Sequence, residues 1–248
     1  MRLRALSTAW FYLVVALTLP VGYLIALLIF VATRPFDLHR HTLHYFVTRW
    51  CHVYLKVWPW WRVTVSGREK LPRGACVLVA NHQSMTDILA LMGLRYPFKF
   101  VSKKSLFEVP AVGFMMRLLG YVALERGHLP SIKDTVSRTD WLIDHGVPVL
   151  IFPEGTYAPV PKRLPFKRGA FRLAQKKQVP LVPVVVEGTS ELVFEDGPSF
   201  APRGHVKVTV MDPMPPPPVD ADEGPWVKEL ERKYAEWLNV PHGAPPTP

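Results

Sequence analysis

The sequence predicts an α/β protein: a mostly parallel central sheet of about seven strands covered by helices, preceded by an N-terminal membrane-associated helical segment. Three observations predict it. From Val63 onward, short β-rich runs alternate with helical ones, the texture of βαβ units with parallel strands. Polar or proline-marked residues stand directly after several of these runs, where open parallel sheets place their ligands. Residues 9–33 contain no charged side chain, which a soluble core does not require.

The apolar run comes first. As one helix at ~1.5 Å per residue it would be about 37 Å long, against a hydrocarbon core of ~30 Å, so a tilted span fits. Pro20-Val21-Gly22 at its centre fits a second arrangement, a hairpin of two half-length helices, because a proline removes one helical hydrogen bond and a glycine loosens the turn. Arg2 and Arg4 before the run and Arg34 and Arg40 after it select no orientation for a span and suit a hairpin with both ends cytoplasmic. The run is too long for a cleaved signal peptide and lacks a small-x-small site. Residues 41–58 then set Leu43, Phe46, Val47, Trp50, Tyr54, Val57 and Trp58 at steps of three or four, opposite His44, Thr48, Arg49, His52 and Lys56. Pro59 ends this helix, which reads either as interfacial, with Trp58, Trp60 and Trp61 at headgroup depth, or as packed on a core. Residues 1–62 are therefore assigned to membrane anchoring, 63–240 to the folded domain and 241–248 to a disordered tail.

Within the domain, Val, Ile and Phe concentrate at 63–66, 75–80, 98–102, 121–125, 148–152, 181–187 and 205–211, the predicted strands. Apolar residues recur at helical spacing over 84–94, 105–119, 131–145, 168–178 and 226–239. Ser84-Met85-Thr86-Asp87 fits the capping pattern in which two side chains satisfy free N–H groups of a first turn. The proline run 213–218 is a stiff connector to the last helix.

Charge narrows the function classes. The net +10 is uneven: residues 1–66 hold seven Lys/Arg and one acid, residues 67–130 nine and four, and the remainder 14 and 15. Positive charge lies where apolar residues are densest, which points to anionic lipid headgroups; no nucleic-acid-binding pattern accompanies it. Cys51 and Cys76 support neither a disulfide framework nor a zinc site, and fit a reducing cytosolic setting. His39, His41, His44 and His52 lack the carboxylates or thiolates of a metal cluster, so no metal is expected.

The candidate chemistry sits at strand ends. Asn81-His82-Gln83-Ser84-Met85-Thr86-Asp87 follows one strand, Glu125-Arg126 follows Gly120-Tyr121-Val122-Ala123-Leu124, Phe152-Pro153-Glu154-Gly155-Thr156 closes another, and Val182-Pro183-Val184 lies in a fourth. In this order and spacing they resemble the glycerolipid acyltransferases, the family of 1-acylglycerol-3-phosphate (lysophosphatidic acid) acyltransferases, over residues 75–190. Lys103-Lys104 and the run at 165–171 extend the resemblance. It implies that His82 is the general base for an acceptor hydroxyl and that Asp87 fixes its tautomer and stabilises the imidazolium, roles that suit a histidine, the residue type whose unperturbed pKa is ~6.5, beside a carboxylate.

The resemblance also implies Arg126 as the partner of the acceptor's phosphate, which a guanidinium can grip through two hydrogen bonds, or else an ion pair with Glu125. Glu154, Gly155 and Thr156 are expected at the glycerol or phosphate portion, with Lys103, Lys104 and Pro183 also at the substrate site. The N–H groups opening helix 84–94 are expected to favour an oxyanion. The expected reaction is acyl transfer from acyl coenzyme A or an acyl carrier protein to a lysophospholipid, giving phosphatidic acid, at a membrane and on its cytoplasmic face, without a further cofactor. The cations at 162, 163, 167, 168, 172, 176 and 177 are expected to meet coenzyme A phosphates, an acidic carrier protein or the bilayer, or to form a solvated helix face. Helix 105–119 is expected to pack in the core or line an acyl groove. Family members carry an arginine after Glu-Gly-Thr, whereas Tyr157 stands here, which leaves the acceptor headgroup open to another lysolipid. A hydrolase using Ser84 or Cys76 would need a nucleophile elbow that the sequence lacks, and a non-catalytic membrane-binding relative would not need His82, Asp87 and Glu154 together.

Overall fold

The computed structural model describes residues 2–56, 60–157, 164–192 and 199–238. The expected tail at 241–248, with Trp58, Lys162 and Arg163, lies outside the described residues. Strands β1 (Trp61–Ser66), β2 (Val77–Ala80), β3 (Lys99–Lys103), β4 (Val122–Leu124), β5 (Val149–Ile151), β6 (Leu181–Glu187) and β7 (Gly204–Val210) form one seven-stranded sheet in the order β1-β7-β6-β2-β5-β3-β4. Among the described strands, only β6 and β7 pair antiparallel. Strands β2 to β6 therefore share one direction, and their carboxyl ends define a single edge.

Burial on both faces explains the unbroken apolar runs. Val77 and Val79 of β2 face a core shared with helices α5 (Leu129–Asp144), α6 (Gly169–Lys177) and α7 (Gly224–Trp237). Leu78 and Ala80 point the other way, to α2 (His41–Lys56) and α3 (Asp87–Met92). Expected helix 105–119 is broken: a 3-10 turn over Lys104–Glu108 precedes α4 (Val112–Leu119). Pro110 lacks the N–H that a continuous helix needs and pushes Val109 into extended conformation, at φ −67 and ψ 123.

At the N-terminus, α1 (Arg2–Thr33) runs unbroken through Pro20, so the expected hairpin of half-helices does not form. One lost hydrogen bond costs less than two new helix ends, each with several unpaired backbone groups. The chain instead reverses at 34–40, where the Asp37 carboxylate accepts from His41 N (2.9 Å) and Thr42 N (2.7 Å) and caps α2. Helix α2 returns antiparallel along α1: Tyr54 meets Thr18 (3.0 Å), the Trp50 ring lies on Gly22, and Leu43 and Val47 pack with Ala26. Gly22 is thus a packing site, not a break.

The interfacial reading of α2 gives way to the packed one. Leu43, Val47 and Tyr54 are buried, and so are His44, Thr48 and His52 on the opposite side, because α2 is sandwiched between α1 and the domain. Trp61 is buried in β1, donating to Ala201 O (2.8 Å), while Trp60 is exposed. Helix α1 also docks on the domain, with Phe11 against Phe200 (4.1 Å) and Ser7 Oγ donating to Phe200 O (2.8 Å). Its outer face, including Leu3, Leu6, Leu13, Leu17, Leu24 and Leu28, is exposed, and Leu3–Thr33 is long and apolar enough to cross a membrane, with mean hydropathy 2.6.

Two cations, the buried Lys99 and the half-buried Arg40, tie this unit to the sheet. Lys99 Nζ donates to Leu119 O (2.7 Å) and His39 O (2.6 Å), and Arg40 Nη1 to Arg117 O (2.6 Å) and Leu118 O (2.8 Å), so both satisfy the free carbonyls ending α4.

Candidate active site

The site begins where β2 ends. Asn81 extends the pairing with its side chain, donating Nδ2–H to Val186 O (2.8 Å) and accepting from Val186 N at Oδ1 (2.8 Å). This fixes the exit from β2 and sets His82 on the carboxyl edge of the sheet. The chain then turns through 83–86 into α3, and Asp87 swings back beneath the imidazole.

Asp87 is fully buried, and its carboxylate is saturated with donors. Oδ2 accepts from His82 Nδ1 (2.7 Å), Gln83 N (2.6 Å) and Ser84 N (3.0 Å); Oδ1 accepts from the Thr189 hydroxyl. Because an ionised carboxylate only accepts, Nδ1 of His82 must carry the proton, which leaves Nε2 as the basic nitrogen of the neutral ring. The His82 side chain is 12% exposed, and its ring stacks on Phe152 (4.0 Å between centroids, 16° between planes) and meets the edge of Tyr157 (5.9 Å, 81°). Two aromatic neighbours and the carboxylate together hold the ring in one orientation.

The capping expectation for Asp87 and its place beside His82 are realised by the same atoms. Ser84 Oγ accepts from Thr86 N (3.2 Å) and the carboxylate returns to Ser84 N. The expected oxyanion donors at this helix start are correspondingly used up: Gln83 N and Ser84 N serve Asp87, Thr86 N serves Ser84 Oγ, and Asp87 N bonds Ser84 O (3.1 Å). Ser84 Oγ is buried in this turn and absent from the cavity wall, and burial pushes the Cys76 thiol up to about 11, so neither serves a hydrolase as nucleophile.

His82 opens on a cavity of about 980 Å³. Its inner wall is apolar, with Ile88, Phe100, Leu124, Val136, Phe152 and Leu173, and its polar lining includes Lys103, Arg126, Gly155, Thr156 and Lys167. Of the sequence-predicted residues, His82, Lys103, Arg126, Gly155 and Thr156 thus come together. Glu154 is buried below the wall, where Oε1 accepts from His82 N (3.3 Å), so it braces the histidine loop. Lys104 is not in the wall; it pairs with Glu125 (2.7 Å), which leaves Arg126 without the expected partner. Pro183 is buried inside β6, its carbonyl accepting from Met211 N (2.9 Å), and does not reach the cavity. Of segment 105–119, expected to pack in the core or line an acyl groove, only Ser105 and Leu106 line this cavity, which runs between the sheet edge, α5 and α6.

Most of the basic stripe at 167–177 is neutralised. Arg172 (2.8 Å) and Arg168 (3.3 Å) pair with Glu223, Lys176 with Asp140 (2.6 Å) and Lys177 with Asp144 (2.6 Å). Sequence reasoning missed Thr189, and it placed Asn81 and Phe152 in the motifs without giving either a role. Thr189 had a signal, since it follows Gly188 at the end of β6, where φ +80 and a 2.1 Å approach of a Cβ to His205 O admit only glycine.

An imidazole held in one tautomer by a buried carboxylate, at the mouth of a deep, largely apolar cavity, can take a proton from a hydroxyl on an amphipathic molecule. Residues 62–187, about half of the chain, match the Acyltransferase family, and the protein belongs to it. A chloroplastic 1-acyl-sn-glycerol-3-phosphate acyltransferase of Brassica napus is 33% identical over 208 residues, 83% of this chain and 59% of the relative. The 1-acyl-sn-glycerol-3-phosphate acyltransferase of Chlamydomonas reinhardtii is 39% identical over 184 residues, covering 73% of this chain and 55% of that protein. The chain thus spans about half to three-fifths of the length of the curated relatives it matches. The crystal structure of the 1-acyl-sn-glycerophosphate (LPA) acyltransferase PlsC of Thermotoga maritima superposes with a TM-score of 0.77 at 25% identity, covering 97% of this chain and 98% of that one.

Proposed function

We propose that the protein transfers a fatty acyl group from a thioester donor, acyl coenzyme A or acyl carrier protein, to the free hydroxyl of a lysophospholipid. The first acceptor to test is 1-acylglycerol-3-phosphate, the product being phosphatidic acid. The observation that carries the reading is the 2.7 Å bond between His82 Nδ1 and Asp87 Oδ2 at the mouth of the cavity. His82 Nε2 takes the hydroxyl proton as the acceptor oxygen attacks the thioester carbonyl. The tetrahedral intermediate collapses by breaking the C–S bond, and the leaving thiolate takes the proton from the imidazolium, which restores the base. No enzyme nucleophile is required, because the thioester is already activated.

The apolar wall receives acyl chain, Gly155 and Thr156 receive the glycerol portion, and Arg126 and Lys103 attract the anionic groups. Helix α1, docked along the domain with one apolar face outward, rests that face in the bilayer, and the cations of residues 1–66 meet acidic headgroups on the cytoplasmic side.

The test is an assay of the full chain with a panel of lysolipids and both donors, with products identified by mass. His82→Ala is expected to lower transfer by about 10²–10⁴-fold while the protein still floats with acidic vesicles. Retained turnover in that variant overturns the assignment of the base, and failure of the wild type with every acceptor overturns the function.

A further inference from the structure

Five cations line the cavity: Lys103, Arg126, Lys167, Arg172 and Lys176. Arg172 and Lys176 are neutralised by Glu223 and Asp140. Among the described residues no carboxylate pairs with Lys103, Arg126 or Lys167. Lys167 differs from the other two in how it is held. Its side chain lies across Gly155, whose φ is +79, so closely that a Cβ there would stand 2.8 Å from Nζ and 3.0 Å from Cε. Its backbone N–H donates to Pro153 O (2.8 Å), and the preceding Phe166 is buried with its N–H on Glu231 Oε1 (2.7 Å). The ammonium is thereby drawn onto the turn that carries Glu154, whose carboxylate holds His82 N (3.3 Å). Gly155 gives the lysine stem room, and an exposed, unneutralised charge results on the wall of the cavity that His82 also lines. A carboxylate partner would cancel that charge; a substrate anion completes it.

The geometry points to Lys167 as a specificity-determining residue that pairs with the phosphate monoester of the acceptor in the cavity that His82 also lines. The inference rests on the proposed acyl transfer to a lysophospholipid and names the side chain that selects a phosphate-bearing one. Lysine supplies a compact charge with three donors, which suits a terminal phosphate better than a phosphodiester screened by a choline.

The test uses the full chain in mixed micelles. Lys167→Met is expected to raise KM for 1-acylglycerol-3-phosphate about ten- to a hundredfold with kcat within about threefold, whereas Lys167→Arg keeps both near wild type. Lys167 is exposed, so both variants are expected to melt with the wild type. In parallel, calorimetry with dodecyl phosphate, which has no hydroxyl to acylate, is expected to show the same fold loss in Lys167→Met, and dodecyl phosphocholine none. Unchanged dodecyl phosphate affinity in Lys167→Met, or an equal loss for both amphiphiles, overturns the inference. If the wild type acylates no lysolipid, the proposed function fails, and the calorimetry alone decides whether Lys167 binds phosphate.

Discussion

Replacing Asp87 by asparagine removes a charge while the shape of the turn dictates how the amide must sit. The position of Oδ2 faces three donors, from His82, Gln83 and Ser84, so the amide oxygen has to occupy it. The NH₂ group then falls opposite the Thr189 hydroxyl, which can accept. The Nδ1–H tautomer of His82 survives, unlike in a serine protease triad, where the same change costs about 10⁴ in kcat by selecting the wrong tautomer. What Asp87→Asn loses is the attraction between a carboxylate and the imidazolium formed in the transition state. For unit charges ~4 Å apart at an effective dielectric constant of ~20 this is about 4 kcal/mol, or roughly 10³ in rate. The expected outcome is a kcat about 10³-fold lower, KM nearly unchanged and little change in melting temperature, read by steady-state acyl transfer and thermal denaturation of the same preparation. A folded Asp87→Asn protein keeping more than about a tenth of the wild-type kcat would refute the electrostatic role. Asp87→Ala is a poorer probe, because it strands two backbone N–H groups at about 1–3 kcal/mol each.

Lys99 provides a pH test. Burial pushes its ammonium down to about 7 from the usual 10.5, so the unfolded chain holds one more proton between those values. Stability of the wild type relative to Lys99→Met is therefore expected to be flat below pH 7 and to rise above it by up to ~1.4 kcal/mol per pH unit, followed by denaturant melts; a difference independent of pH would sink the argument. The neutral amine still has two N–H bonds for the carbonyls of Leu119 and His39. At the helix pair, a methyl group on Gly22 would lie 2.2 Å from the Trp50 ring, so Gly22→Ala is expected to destabilise by about 1–3 kcal/mol. An unchanged melting temperature in that variant would mean that α1 and α2 do not pack as described.

Period and composition made the strands legible, since each of β2, β5 and β6 is buried on both faces and reads as an unbroken apolar run. The His82–Asp87 pair was legible only through its resemblance to the acyltransferase motif, since spacing alone did not single it out. It closes within five residues, over one turn, so its geometry is set by local chain reversal. Pro110 could have corrected the boundary of α4, because its effect on the backbone is equally local. The packed state of α2 could not be read from its sequence, since an apolar face with tryptophans suits lipid and protein alike. Only the position of α1 and the domain on either side of it decided between them.

The amino-acid sequence by itself determined the alternation of elements, the apolar N-terminal run and the polar residues at the sheet's edge, because each depends on neighbours within one or two turns. Tertiary structure alone decided that Thr189 would complete the acceptor shell of Asp87, that Glu223, Asp140 and Asp144 would neutralise the basic stripe, and that Lys167 would lie across Gly155. In a parallel sheet adjacent strands are joined by crossovers, so partners at its edge come from distant segments of chain, and no local spacing encodes which charge meets which.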